Sequence, residues 1–469
     1  MKRIMSGVLL FVLGLGLLAG TTCVATEAVV NGDFSSNAAL YTTYPGYNGG
    51  PNPAAIDNWS ASDVGIGING SGISTAFGPA DKSAATYYAF IQNGGKSLSQ
   101  DITLSADTAY NVSFLAANRS GESAATGRVV VADASATYYD SGASAWDTTA
   151  FQRITDYFIT PASIDGTITI TLANESGGGG GTVCYSDVAI EPRAPVAATG
   201  GNSTYNVGGD RVHEFTSDGT FSVTTGGDIE VLVVAGGGGS GNNGGGGGGA
   251  GGVIYDRVFT VVAGSNYTVT VGSGGAGAGS GSVPGSSGTN SIFGPLTSTG
   301  GGGGASRDGG GAGVSGGSGG GGGGGGQPQA TAGTASPAGQ GNKGGGGYNS
   351  GGSSAGGGGG GYGSAGTAGA SLQGGNGGNG FWSDITGVNT GYAGGGAGSG
   401  LASFGGEAGS VEVGAGGGGP ENGSRDARSN SGGGGGGIDG TSGGGSGGSG
   451  IVIIRYISGA PAGTLIIFR

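Results

Sequence analysis

The sequence predicts an all-β protein: a jelly-roll β-sandwich followed by a β-framed glycine-rich domain. Three observations carry that reading. Short runs of β-branched and aromatic residues, separated by Gly, Asn, Asp and Pro, recur from Glu27 to Glu191. No segment sustains a helical apolar period. A glycine-rich stretch from Ala235 to Gly450 is bracketed by two apolar runs, Glu230-Val-Leu-Val-Val-Ala235 and Gly450-Ile-Val-Ile-Ile-Arg-Tyr456. A flexible linker has no need of β-branched strands at both ends.

Composition narrows the class. The chain has 469 residues, of which 127 are glycine, and only 13 prolines. Without a strict three-residue glycine period this excludes collagen. Glycine at this level would suit a disordered chain, but 35% hydrophobic residues and 17 tyrosines exceed what a flexible linker carries. The net charge of -13 reflects scarce lysine and arginine, 16 together, so it implies solubility and no basic face for nucleic acid.

Met1–Ala25 has the parts of a secretory signal. Lys2 and Arg3 form the basic end, Val8–Leu18 the apolar core and Cys23-Val24-Ala25 a small-residue cleavage site. A lipoprotein signal would need a small residue where Thr22 stands, so cleavage after Ala25 is expected. That leaves Cys184 without an intrachain partner. Leu465–Phe468 is too short to cross a bilayer, so no transmembrane segment is expected in the mature chain. The expected location is secreted or at a cell surface.

Residues 27–191 read as the jelly roll. Val29–Phe34 is expected as a strand entering a turn. Further strands are expected at Tyr87–Gln92, Lys96–Leu104, Ala109–Ala116, Arg128–Ala132, Phe151–Ile159, Thr167–Leu172 and Val183–Ile190. Ile168, Ile170 and Leu172 alternate with threonines, as a half-buried strand does. Eight or so such strands suit a jelly roll. The residues Val30-Asn31-Gly32-Asp33-Phe34, Ile56-Asp57-Asn58-Trp59, Ser97-Leu98-Ser99-Gln100 and Tyr185-Ser186-Asp187-Val188-Ala189-Ile190 resemble the galactose-binding-like jelly rolls. Many non-catalytic carbohydrate-binding modules have that form.

Residues 192–203 read as a linker, stiffened by proline and too small in side chain to bury a core. Residues 204–457 read as the glycine-rich domain, and 458–469 as a C-terminal tail. Val212–Thr216 and Gly219–Val223 are expected to pair around Ser217-Asp218. Asp228–Ala235, Gly252–Val262 and Tyr267–Gly272 follow as strands. The order His213-x-Phe215, Gly219-Thr-Phe221, Val231-Leu-Val-Val-Ala-Gly, Tyr267-Thr-Val-Thr-Val-Gly272, glycine runs and Gly450-Ile-Val-Ile-Ile-Arg-Tyr456 resembles the glycine-rich domain of bacterial surface proteins and phage adhesins. It is also similar to the extracellular glycine-rich region of anaplastic-lymphoma-type receptor kinases; no kinase catalytic segment accompanies it. The resemblance implies that the glycine runs pack as parallel polyglycine helices of polyproline II type, with N–H meeting C=O between them. Gln327-Pro328-Gln329, Tyr348-Asn349 and Leu372-Gln373 would then be loops at the bundle ends. It also implies Gln327–Gln340 and Phe381–Tyr392 as receptor-contacting loops.

Catalytic parts are scarce. His213 is the only histidine, which excludes a multi-histidine metal site; in its strand it reads as structural. Cys184, in a final strand, reads as a buried thiol rather than a nucleophile. Gly94-Gly95-Lys96-Ser97 lacks both the earlier glycine, where Phe90 stands, and the following helix of a phosphate loop. Asp33 and Asp187 would meet where the ends of a jelly roll pair. They read either as oxygen ligands of a structural calcium ion or as a turn aspartate and a solvent-facing one. No other cofactor is expected. Tyr41, Tyr44, Tyr47, Tyr138, Tyr139 and Trp146 lie in loop-like segments, where exposed rings stack on sugar faces or cover core edges. Trp59 reads as core. Taken together, the sequence points to an exported, non-enzymatic surface or adhesion protein that binds a polysaccharide or cell-surface glycan through the jelly roll. The glycine-rich domain would be a rigid spacer or adhesin. The alternative is a structural envelope or matrix protein without a specific ligand, which would self-associate.

Overall fold

The computed structural model describes residues 28–36, 46–47, 56–63, 65–71, 77–122, 125–176, 181–279, 282–307, 312–325, 330–350, 353–400, 426–440 and 443–458. The predicted signal therefore lies outside the described residues, as does the predicted tail beyond Ser458. Two compact units form: residues 1–192 apart from 111–113 and 153–159, and residues 193–469 together with those two short pieces. Nearly all regular structure is β-strand, and no helix is long and apolar enough to cross a membrane among the described residues.

In the first unit Lys96–Ile102, Ile168–Asn174 and Thr126–Ala132 lie side by side and antiparallel. Ile168, Ile170 and Leu172 are buried while the threonines between them are not, the alternation expected of a sheet with one wet face. In the other sheet Tyr87–Gln92 pairs with Ile66–Gly70 and with Thr182–Pro192. This sheet is covered on its far side too. Phe77, Tyr88, Phe90, Phe151 and Cys184 form a second small core there, which is why the strand Tyr87–Gln92 reads as an unbroken apolar run. Cys184 is fully buried, and burial pushes its thiol pKa up. Val29–Phe34 is not a strand: Asn31 and Phe34 have φ of 56° and 58°, so the chain turns there.

The second unit is framed by two five-stranded sheets. The framing runs identified in the sequence become Gly227–Val234 and Ile451–Ile457, and they pair directly, Val231 against Ile454 and Val233 against Val452. Val231, Val233, Val452, Ile454 and Tyr456 enter the core between the sheets. Leu232, Val234, Ile451 and Ile453 enter a second core on the opposite face. Burial of both faces accounts for the continuous apolar composition of these strands.

Two expectations need correction. Asp210–Phe215 and Gly219–Thr225 do not pair with each other. The former joins Ser203–Val207 and Ile451–Ile457, and the latter joins Ala197–Thr199 and Asn266–Thr270. Phe215 and Phe221 thereby reach one core from opposite sheets. The expected linker is also part of this fold. Ala197–Thr199 is an edge strand and Val196 is buried in the core.

The glycine runs form neither α-helix nor strand ladder, yet their hydrogen bonds are regular. In the run from Gly245 to Gly252, Gly245, Gly248 and Gly251 donate to Ile438, Gly435 and Gly432; Gly246, Gly249 and Gly252 donate to Ala305, Gly302 and Thr299; Gly247 and Ala250 donate to Gly357 and Gly360. The same run accepts from Gly238 and Gly241, from Ser318 and Gly321, and from Gly396 and Ser399. Every third residue thus faces the same neighbouring segment. Three is the residue repeat of a polyproline II helix. The directions are mixed rather than parallel: residue numbers rise together only against Gly357–Gly360 and run opposite in the other segments. At the glycines of the run a side chain is excluded by distance. A Cβ on Gly248 would lie 2.0 Å from the Gly238 carbonyl oxygen.

Candidate functional site

The hairpin Phe381–Ser383 and Thr390–Tyr392 projects from this lattice. Its connecting loop is held from several sides. Ile385 is fully buried in the second core, the Gly387 N–H donates to the Asp384 carbonyl at 2.7 Å, and the Thr386 and Thr390 hydroxyls both donate to the Val388 carbonyl at 3.0 Å. Gly387 has φ of 82°, and a Cβ there would strike Val207. Arg428 donates to the Gly391 carbonyl. A loop tied in this way presents its side chains in one arrangement.

Those side chains line an open groove of about 530 Å³ with Tyr255 and Arg257 from the strand Val253–Val261; the hairpin contributes Phe381, Trp382, Ser383, Asp384 and Asn389. The volume falls in the range of small-ligand sites. Phe381 packs edge-on against Tyr255 at 5.3 Å and against Tyr362 at 5.2 Å, forming an apolar floor. Trp382 sits opposite Gly391 in the hairpin, so no cross-strand side chain caps it, and 42% of its surface is exposed. Asp384 and Asn389 are exposed beside it. An open indole flanked by carboxylate and amide suits a ligand with one apolar face and a rim of hydroxyls. This region was legible as the loop Phe381–Tyr392, whereas Tyr255 and Arg257 carried no signal.

The residues singled out in the jelly roll fare differently. Tyr41 and Tyr44 lie outside the described residues; so does the side chain of Tyr47, whose backbone pairs in the short strand Gly46–Tyr47. Tyr138 and Tyr139 belong to a strand, Thr137–Asp140, not to a loop. The Tyr138 phenol donates to Asp133, whose carboxyl that bond holds well below the ordinary range. Tyr139 is only 6% exposed, too little for a sugar ring to stack on. Trp146 is half-buried and packs edge-on to the core residue Phe114 at 6.2 Å. Trp59 is buried, as expected.

Gly32 and Val188 meet, the Val188 N–H donating to the Gly32 carbonyl at 3.1 Å, which brings the backbones beside Asp33 and Asp187 together. Asp33 accepts from the Ser35 amide and hydroxyl within its own turn. Among the described residues no group of three or more His, Cys, Asp or Glu side chains is placed to hold a metal ion. In the loop Gln327–Gln340, residues 327–329 lie outside the described residues, and Gln340 is committed to the Thr297 carbonyl and the Thr299 amide.

Fold and site together define a β-framed glycine protein carrying a rigid surface groove. The chain belongs to the family of the glycine-rich domain, whose model matches residues 214–457. No curated protein matches it in sequence. Among solved structures it is similar to a CBM4 structure (17% identity, 35% of this chain and 99% of that chain, TM-score 0.23). It is also similar to the CBM22-1 xylan-binding domain from Paenibacillus barcinonensis Xyn10C (10% identity, 29% and 85%, TM-score 0.23). A third is TmCBM61, solved with β-1,4-galactotriose (16% identity, 35% and 97%, TM-score 0.23).

Proposed function

We propose that this chain is an exported, non-catalytic surface protein that recognises a neutral glycan, with the groove around Trp382 as its contact. The observation that carries the reading is the exposed Trp382, on a hairpin strand beside Asp384 and Asn389 of a connecting loop fixed by Ile385 and Gly387. Preorganisation matters because ordering a loop on binding costs affinity. The charges around the groove disfavour a polyanion: Arg257 is paired with Asp156 at 2.9 Å and lies near buried Glu230, Asp384 lines the same groove, and the protein has a net charge of -13. The adhesin-type use of a hairpin between glycine runs is the same reading at the level of the whole protein.

The non-catalytic part of the proposal is supported by the state of the one histidine and of Cys184. His213 is 1% exposed, with Nδ1 2.7 Å from the Gly200 carbonyl and Nε2 2.8 Å from the Tyr456 hydroxyl. The Cys184 thiol is sealed in the jelly-roll core.

A glycan array with wild type and Trp382→Ala tests the proposal. A central aromatic anchor contributes roughly 2 kcal/mol, about a 30-fold loss at 1.4 kcal/mol per decade. Retention unchanged in Trp382→Ala but lost in Trp146→Ala would move the contact to the jelly roll. Binding to no glycan, with self-association on dilution series, would favour the structural alternative.

A further inference from the structure

Glu230 interrupts the apolar run of one of the two framing strands. It stands in Gly227–Val234 between Ile229 and Val231, both fully buried, and is itself 2% exposed. Apolar replacements at such positions are often neutral or stabilising, so a buried carboxylate is weakly explained by stability alone. Two of its partners, Tyr255 and Arg257, line the groove. The Tyr255 phenol donates a hydrogen bond to Oε1, and Arg257 Nε lies 3.9 Å from the same oxygen. Oε2 accepts from the Tyr157 phenol at 3.2 Å.

The backbone opposite is irregular at this point. Ile229 pairs with Phe259 but Val231 pairs with Asp256, so Arg257 and Val258 together face Glu230. This is a β-bulge, a device that re-aims side chains and recurs beside binding sites. Here it reverses the alternation along Val253–Val261. Phe259 packs on Phe293 and Tyr267 in the core between the sheets, while Tyr255 contacts Phe381 on the opposite side. Regular alternation would have put Tyr255 and Phe259 on one face.

From this arrangement we infer that Glu230 is the positioning residue of the groove: its buried carboxylate, reached through the bulge, fixes the Tyr255 ring against Phe381 and so sets the wall beside Trp382. The inference rests on the groove being the binding site and adds which residue holds its shape. A buried acceptor that anchors a wall residue through one hydrogen bond predicts strong coupling between the two positions and tolerance of any side chain that still accepts.

The test uses the full chain grown with 5-fluorotryptophan, which gives three fluorine signals for the three tryptophans; Trp382→Phe identifies the relevant one. Glu230→Leu and Tyr255→Phe are expected to move the Trp382 signal to the same new position, with the double variant no further displaced. Glu230→Gln, which keeps an acceptor oxygen, should leave it in place. On the glycan array both single variants and the double should lose retention by one common factor, about tenfold, while Glu230→Gln stays near wild type. A Trp382 signal unmoved by Glu230→Leu, or additive shifts in the double variant, overturns the inference. If Glu230→Leu does not fold, Tyr255→Phe against Glu230→Gln carries the same comparison. Signals behaving as expected in a wild type that retains no glycan would support the positioning role and refute the glycan reading alone.

Discussion

Replacing Gly248 by alanine probes the lattice where two runs lie in close contact. The added Cβ would sit 2.0 Å from the Gly238 oxygen, where ordinary contact begins at 3.4 Å, so the two runs must part by about 1.4 Å. They are joined by Gly238 donating to Gly249 at 2.8 Å and Gly241 donating to Gly246 at 3.0 Å. Parting along those bonds stretches them to about 4.2 and 4.4 Å, beyond any hydrogen bond. Four buried backbone groups then lose partners, at roughly 1–3 kcal/mol each, a total of about 4–12 kcal/mol. Domain stability itself is about 5–15 kcal/mol. Urea denaturation followed by circular dichroism should therefore show the glycine unit unfolding far earlier, or not folding at all. Gly209→Ala is the control, since nothing lies within 4 Å of its Cβ position; it should be neutral or slightly stabilising. A Gly248→Ala protein within about 1 kcal/mol of wild type would refute the close-packed account.

Other expectations follow from buried and turn-bound groups. Burial lowers the His213 pKa below its ordinary 6.5. The unfolded chain then binds the extra proton first, so His213 contributes stability above pH 6.5 that is lost as pH falls through its depressed folded value. Melting temperature should be level above neutrality and decline below it, and His213→Gln should flatten that decline; an unchanged slope would exonerate His213. Because Asp33 is engaged by Ser35, chelation with EDTA is expected to leave the melting temperature of the jelly roll unchanged. A clear drop on chelation, restored by calcium, would instead assign Asp33 and Asp187 to a calcium site.

The framing strands were legible because both their faces are buried, which leaves a continuous apolar signature at Val231–Val234 and Ile451–Ile454. Their true partners were not, because pairing is settled by which core each phenylalanine enters. Phe215 and Phe221 look like a hairpin locally and are separated by the sandwich. Tyr138 and Tyr139 illustrate the limit in the jelly roll. Flanked by turn residues they resemble a loop, yet strand alternation sends one towards solvent and the other inward. The groove was half legible. Trp382 stands in a hairpin between glycine runs, but Tyr255 reaches it only through a lattice that joins positions far apart in sequence. A bulge such as that opposite Glu230 leaves no compositional mark.

The pairing of Val231 with Ile454 spans 223 residues, from 454 minus 231. The central seam of the frame thus cannot close until nearly every glycine run has been made and brought alongside. Local contacts offer the intervening chain little to hold, since glycine surrenders more backbone freedom on ordering than any other residue. Such a topology should fold slowly and all together. A chain built this way is expected to leave the glycine region unpaired until the strand Ile451–Ile457 is available to it.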